Sequence, residues 1–439
     1  MSDRLSRTAL GAYRLLGQAA YPAIGGYVRW RAGRGKEEPA RRRERYGHAS
    51  EPRPPGQPLV WVHAASVGES AAVEPMVREI AATGVAVLMT TGTVTSAGLV
   101  EERLGTEVIH QYVPLDLRPC VRRFLDHWRP DLAVFAESEL WPMTMAELQR
   151  RRVPQILVNA RLSDRSFRRW KSVPWLAETL LENLAHIVAQ SAIDGERYHL
   201  LGARSVSVAG NLKADAPPPG ADARDLQEAR RVIALRPVWA ALSTHEGEEM
   251  MAARVHLALR EDRPRLLTVI VPRHIERADA IERELATLGL RAARWSRGEL
   301  PDPTTDVLIG DTIGDMGFYL RLCEIAFIGK SLSAEGGQNP MEAAMLQTAI
   351  VSGRMVQNFR DVYAKLLSRG GVRLVESEAE LGQAVAQLFA DPEARRAMMA
   401  GACEAVGEMG GALDRTIAAL DPFLLPLRLE VRRDRRGGR

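Results

Sequence analysis

The sequence predicts an α/β protein built from two doubly wound parallel-sheet domains in tandem. Three observations carry that prediction. Short β-branched runs alternate with helical stretches from residue 58 onward, a proline-rich break reading APPPG interrupts them at Ala216 to Gly220, and the alternation restarts beyond it. The chain, at 439 residues, also exceeds what one ordinary hydrophobic core accommodates. Hydrophobic residues at 46% and charged residues at 26% exclude collagen-like, disordered and multi-span membrane classes.

The elements follow in order. Leu15, Leu16, Ala19, Ala20, Ala23, Ile24, Tyr27 and Val28 recur in adjacent pairs every four residues, the stripe of an amphipathic helix, with Arg14, Gln18, Pro22, Gly25 and Gly26 off it. The apolar run falls short of the roughly 20 residues a spanning helix needs. Trp30 among Arg29, Arg31 and Arg34 is a flank suited to headgroup level, so the segment is expected to lie in a membrane interface. Packing on the protein's own body is the alternative. Arg14 and the lack of a small-residue cleavage site argue against a signal peptide.

Strands are then expected at Leu59 to His63, Val85 to Thr90, Val108 to Val113, Leu132 to Phe135, Ile156 to Val158 and Ile187 to Ala189. Beyond the break they are expected at Val238 to Leu242, Leu266 to Val271, Val307 to Ile309, Ile325 to Ile328 and Ala349 to Ser352. The organisation is therefore a helix with a basic segment at 1–46, a first domain at 47–215, a semi-rigid linker at 216–222, a second domain at 223–425 and a basic tail at 426–439. Net charge is only +4, yet residues 1–46 hold eleven Lys/Arg against four Asp/Glu and residues 428–439 hold six against two. Basic ends on a near-neutral body favour an anionic membrane surface over a nucleic-acid groove. The three cysteines, Cys120, Cys323 and Cys403, are odd in number and far apart, which indicates neither a disulfide framework nor a zinc site and fits a reducing compartment.

Ligands of open α/β sheets bind outside the carboxyl ends of the strands, and two such domains facing one another would put the site in the cleft between them. After the first strand, HAASVGES places Ser66, Gly68 and Glu69 at a helix entry. Glu69 there reads equally as a capping carboxylate and as a general base. The loop lacks the spaced glycines of a dinucleotide fingerprint, which argues against hydride transfer. After the fourth strand, AESELWP sets Glu137 and Glu139 two apart in an extended loop, so both carboxylates point one way, beside Trp141 for stacking on a sugar or acyl surface. An exposed acidic loop is the alternative. NARLSDRS supplies Asn159, Arg161, Ser163 and Arg165, which suit a phosphorylated acceptor unless they are ordinary surface arginines. Lys213 in GNLKAD is either a solvated lysine or a group that neutralises charge on a leaving group.

The second domain offers STHEGEE, VPRH, GDTIGDM and SLSAEGGQNPMEAA. Gly336 and Gly337 ahead of a helix expected near Asn339 form a phosphate cradle, Glu342 one turn on suits a ribose, and Arg273 with His274 adds charge. No DxD-like aspartate cluster occurs, so no metal is demanded. Besides a glycosyltransferase, a nucleotide-sugar epimerase and a non-catalytic two-lobed sugar-binding protein fit this architecture.

The ordered set HAASVGES, ESELWP, NARLSDRS, GNLK, STHEGEE, VPRH, GDTIGD and GGQNPMEA resembles the 3-deoxy-D-manno-octulosonic acid (Kdo) transferases of Gram-negative lipopolysaccharide synthesis, over nearly the whole chain to about residue 370. The resemblance implies a GT-B fold, CMP-Kdo as donor, lipid IVA as acceptor and attachment at the cytoplasmic face of the inner membrane; no cofactor, metal or nucleic acid is expected. By the same resemblance Glu69 is the catalytic base, and Glu139, then Glu137, with Lys213, stabilise the transition state. CMP would be held by Pro272, Arg273, Ile313, Gly314, Asp315, Asn339, Pro340, Met341 and Glu342, with Ser331, Gly336 and Gly337 close by, and the acceptor by Ser66, Gly68, Arg161 and Ser163. Asp315 stands where the family often has glutamate, and Gln338 where histidine is frequent.

Overall fold

In a computed structural model describing residues 2–437, the first alternating stretch becomes seven parallel strands: β1 (Leu59–Ala64), β2 (Ala86–Thr91), β3 (Ile109–Tyr112), β4 (Leu132–Ala136), β5 (Gln155–Ala160), β6 (His186–Ala189) and β7 (Val206–Val208). Their order is β3-β2-β1-β4-β5-β6-β7. All six residues of β1 are buried, because helices cover both faces of a parallel sheet. Alternate side chains serve different layers. Val60, Val62 and Ala64 join one core, and Leu59 and Trp61 join the other with Phe124, Trp128 and Phe135. The chain leaves β1 toward β2 on one side and returns to β4 on the other, so the loops after β1 and β4 open at the switch point of the sheet.

The second stretch repeats the plan with β8 (Val238–Thr244), β9 (Leu267–Pro272), β10 (Ala292–Arg294), β11 (Val307–Ile309), β12 (Ile325–Ile328), β13 (Ala349–Gly353) and β14 (Val372–Val375), in the order β10-β11-β9-β8-β12-β13-β14. The eleven expected strands are all present. The three additional ones, β7, β10 and β14, are all edge strands of three or four residues. An edge strand has one neighbour and solvent on the other side, so it carries residues such as Ser207, Arg294 and Arg373 and loses the apolar signature.

The chain divides into two units, one of residues up to Ala216 together with those from Gly410 on, the other Pro217–Met409. That corrects the expected boundaries at three places. The second unit ends at Met409 rather than at 425, and the tail expected from 426 is part of a helix, Ala412–Gly437, that belongs to the first unit. Leu420, Leu424, Leu427 and Val431 of this helix are buried in the same core as Val60, Val62, Val73 and Val77. Asp215 fixes its start, accepting the Gly411 and Leu413 amides at 2.7 and 2.6 Å. The proline-rich break packs on the second unit, where Arg321 donates to the Pro219 carbonyl at 2.6 Å and Gly317 lies too close to Gly220 to carry a side chain.

The third correction concerns residues 37–46, which are part of the first unit and not a detached basic segment. Glu37 accepts from Arg31 and Arg45 at 2.9 and 2.8 Å. Arg45 donates onward to the Gly92 and Val113 carbonyls, and the buried Glu44 accepts the Tyr112 amide at 2.7 Å. These charges satisfy one another and the ends of β2 and β3, which is what makes their burial tolerable.

The N-terminal helix spans Ser2–Ala32. It packs on the first unit, the alternative left open by the sequence. Tyr13 donates to Asp116 at 3.2 Å, Gly17 passes Leu117, Tyr21 meets Tyr46 edge to face, and Val28 is buried. Leu15, Tyr27 and Trp30 remain exposed. The side chains of Arg14, Leu16, Gln18, Ala20, Pro22 and Ala23 lie outside the described residues. Among the described residues no helix is long and apolar enough to cross a membrane.

Candidate active site

Glu69 stands at the helix entry expected of it. It is the third residue of the helix Val67–Ala82, whose N-cap Ser66 accepts its amide at 3.3 Å. Its carboxylate accepts the Ala65 amide and the Ser66 hydroxyl, each at 2.8 Å. The arrangement resembles a capping box, except that the carboxylate accepts the Ala65 amide and the Ser66 hydroxyl in place of the N-cap amide. It also fixes the carboxylate rotamer at the carboxyl end of β1. Burial and the Glu137 charge raise its pKa, against the lowering effect of Ser66, the Ala65 amide and Lys213. A carboxylate held this way is ionisable, oriented and more basic than usual, as a general base requires.

Glu137 follows β4 at φ 55°, a left-handed conformation, and bonds Lys213 Nζ at 2.8 Å. Two asparagines deliver that lysine. Asn159, itself at φ 48°, accepts the Leu212 amide at 3.1 Å, and Asn211 accepts the Lys213 amide at 3.0 Å. Gly68 lies beside it, a Cβ there standing at an ordinary contact distance of 4.0 Å from Nζ. Strained non-glycine residues at two strand ends mark a place where geometry outweighs local stability.

Glu139 is three-quarters removed from solvent, with 23% of its side chain exposed. Burial, Glu69 and Glu137 push its pKa up to about 7, while the Trp141 indole opposes them. Behind it lies His63, fully buried in β1, with Nδ1 3.0 Å from both the carbonyl and the hydroxyl oxygen of Thr90. Burial, together with the charge of Arg45, pulls the His63 pKa down to about 4, so the ring is neutral at pH 7. Thus the structure brings Ser66, Gly68, Glu69, Glu137, Glu139 and Lys213 together. Arg161 is joined to them through its amide, 3.4 Å from the Glu137 carbonyl. Ser163 instead caps the helix Asp164–Lys171, accepting the Ser166 amide at 3.2 Å.

In the second unit the expected nucleotide residues follow the strands. Pro272 ends β9 and is buried, whereas Arg273 is exposed and bonds the Thr244 carbonyl through its amide at 3.0 Å. Ile313 is 54% exposed, Gly314 sits at φ 100°, and Asp315 opens the helix Met316–Leu322 without capping it. The helix expected near Asn339 begins at Met341 and runs only to Met345. Five residues make a weak dipole, so the turn's own amides carry more of any anion binding than the helix does. Asn339 accepts the Met341 amide at 3.2 Å, Pro340 and Met341 are buried, and Glu342 is half-buried.

Sequence reasoning missed the group on which this loop stands. Glu248 is fully buried, and its carboxylate accepts the amides of His245, Lys330, Ser331, Leu332 and Ser333 at 2.6 to 3.4 Å. The signal was present in STHEGEE, where two glutamates open a largely apolar helix, but helix-start glutamates are common. His63 had a clearer signal, as the one ionisable residue in the run LVWVHA. Among the described residues no three His, Cys, Asp or Glu side chains are grouped to hold a metal ion.

The family model described as 3-deoxy-D-manno-octulosonic-acid transferase (kdotransferase) matches residues 40–216. The 3-deoxy-D-manno-octulosonic acid transferase of Haemophilus influenzae is 35% identical, over 86% of this chain and 90% of that protein. The chain belongs to the Kdo transferase family. The Bordetella pertussis transferase is 36% identical over 87% of this chain and 91% of its own length. A glycosyltransferase from Rickettsia africae is 10% identical, with a TM-score of 0.59 over 84% of this chain and 99% of that one, a likeness of fold alone. The transferase is a GT-B protein with two parallel seven-stranded sheets.

Proposed function

We propose that the protein transfers Kdo from CMP-Kdo to the glucosamine 6-hydroxyl of lipid IVA, with inversion and without metal or cofactor, in lipopolysaccharide synthesis. The observation that carries this reading is Glu69, a strand-end carboxylate locked by Ala65 and Ser66 next to the Glu137–Lys213 pair. The acceptor hydroxyl gives its proton to Glu69 as its oxygen bonds to C2 of Kdo. The bond from C2 to the phosphate oxygen breaks, and its electron pair leaves with CMP. Lys213, oriented by Glu137, stabilises the negative charge that develops, and preorganised charge of this kind costs no reorganisation during the reaction. Arg161 with Ser66, Gly68 and Ser163 serves the acceptor. Pro272, Arg273, the turn Ile313 to Asp315 and the segment Asn339 to Glu342 serve CMP.

The same reading puts the enzyme on the cytoplasmic face of the inner membrane. It is supported by the exposed Leu15, Tyr27 and Trp30 of the N-terminal helix and by a hollow of about 400 Å³ lined by Gly25, Gly26, Val28, Arg29, Arg42 and Tyr46. Arginine beside aromatic surface suits a phosphorylated headgroup. The deciding experiment is transfer of Kdo from CMP-Kdo to purified lipid IVA, followed by acceptor mass. A gain of Kdo that Glu69→Ala abolishes and EDTA leaves intact is expected. A folded protein that binds CMP but leaves lipid IVA unmodified would overturn the acceptor and favour a nucleotide-sugar epimerase.

A further inference from the structure

Among the described residues of the first unit eight buried side-chain polar atoms lack hydrogen-bond partners, and two of the eight belong to side chains around Glu139. His63 Nε2 has no hydrogen bond, and neither has Trp141 Nε1. Unsatisfied buried polar atoms are uncommon and call for an explanation. Their chemistry differs in a useful way. The Thr90 carbonyl can only accept, so His63 Nδ1, 3.0 Å from it, carries the proton. Nε2 is therefore a bare lone pair, and Glu139 Oε2 stands 3.9 Å from it. The indole of Trp141 can only donate; it interacts with the same carboxyl and lies edge to face against the His63 ring.

An acceptor on one side and a donor on the other match a neutral carboxylic acid. Its O–H would donate to His63 Nε2 and its carbonyl oxygen would accept from Trp141 Nε1. An ionised carboxylate would face the lone pair with nothing to give it. We propose that His63 is the positioning residue that holds Glu139 as the neutral acid, with Trp141 orienting the other carboxyl oxygen, and that this leaves Glu69 as the ionised carboxylate of the pair. The gap of about 1 Å beyond bonding distance closes by side-chain rotation, as catalytic contacts commonly do when a site fills. Two neighbouring carboxyl groups whose surroundings differ in this way divide into an acid and a base.

The charges facing Glu139 come from every surrounding element. They are Glu69 from the helix Val67–Ala82, Glu137 from its own loop with Lys213 bonded to it, and Arg45 behind His63. With Glu139 neutral, Glu69 and Glu137 share the site with one lysine; with it ionised, three carboxylates would do so. The protonation of Glu69 would then rise into the working range, since closely coupled groups titrate as a set.

The inference rests on Glu69 being the base, so the test has two separable arms. The first is infrared titration of the full-length protein without substrate. A protonated carboxyl present at pH 6 that Glu139→Gln removes is expected. His63→Asn keeps an amide for Thr90 but places no atom at Nε2, and it should lower that titration by about one pH unit. His63→Gln, whose amide oxygen reaches the Nε2 position, should restore it. The second arm is the pH profile of Kdo transfer. In His63→Asn the acid limb should move up by about one unit, a loss of about tenfold at the acid end, with the alkaline plateau kept. An even loss at all pH values, or no protonated Glu139 at pH 6 in the wild type, overturns the proposal. If the infrared arm succeeds while Glu69→Ala still transfers Kdo, the neutral Glu139 stands and the base assignment falls.

Discussion

Asn159 and Glu137 combine a left-handed backbone with side-chain contacts to Leu212 and Lys213. Asn159→Ala removes the acceptor of the Leu212 amide and keeps the strained φ, so a loss of about 1–3 kcal/mol in urea unfolding is expected, together with slower transfer as Lys213 loosens. Asn159→Gly should recover part of the stability and none of the rate, because glycine relieves the backbone but restores no acceptor. Glu139 bears on stability with a definite sign. Its folded pKa of about 7 lies above the usual 4.5, so the folded state holds the extra proton, and stability falls as pH rises through that window. Glu139→Gln lacks this slope. From pH 5 to pH 8 it should gain on the order of 2 kcal/mol relative to the wild type in denaturant titrations, and a constant difference would contradict the raised pKa. At this scale the sequence named Glu69, Glu137, Glu139 and Lys213 but not His63, Asn159 or Glu248 as supports. Motif spacing reveals residues that face a ligand; it is silent on which buried atom a side chain will meet.

Elements were legible according to their position in the sheets. Central strands such as β1, β4, β8 and β12 are apolar on both faces and announce themselves, whereas β7, β10 and β14 dilute their pattern with polar residues at the edges. The helix Ala412–Gly437 was not foreseen as one element: proximity in sequence assigned its beginning to the second domain, and its arginines marked its end as a basic tail. Removing residues after Met409 should therefore damage the first unit. Four large buried side chains would leave the core shared with Val60 and Val73, and loss of each costs a few kcal/mol. Such a truncation is expected to aggregate or to lose the unfolding transition of the first unit while CMP binding persists. Glu248→Ala should act on the second unit instead. Five amides lose their shared acceptor, so CMP affinity and thermal stability should fall together, with a loss of at least about 3 kcal/mol.

For the molecule as a whole, the two sheets and their separate cores predict two separable bodies. A fragment of residues 217–409 should unfold in one transition and bind CMP by calorimetry, because its sheet, core and expected nucleotide loops lie within that range. Replacing Leu15 and Trp30 together by glutamate should abolish co-sedimentation with anionic vesicles and leave CMP binding unchanged, since both side chains are exposed on the N-terminal helix. Binding that survives the double substitution would move attachment to other surfaces.

The return of the last helix to the first unit has a consequence for biogenesis. A ribosome delivers residues 412–431 only after the whole of the second unit, so the half that is begun first lacks part of its interior until the other has been made. The half made second, uninterrupted in the chain, has all its strands as soon as it emerges. Completion of the two halves thus runs against the direction of synthesis, and the early half spends that interval with apolar surface that a chaperone would recognise.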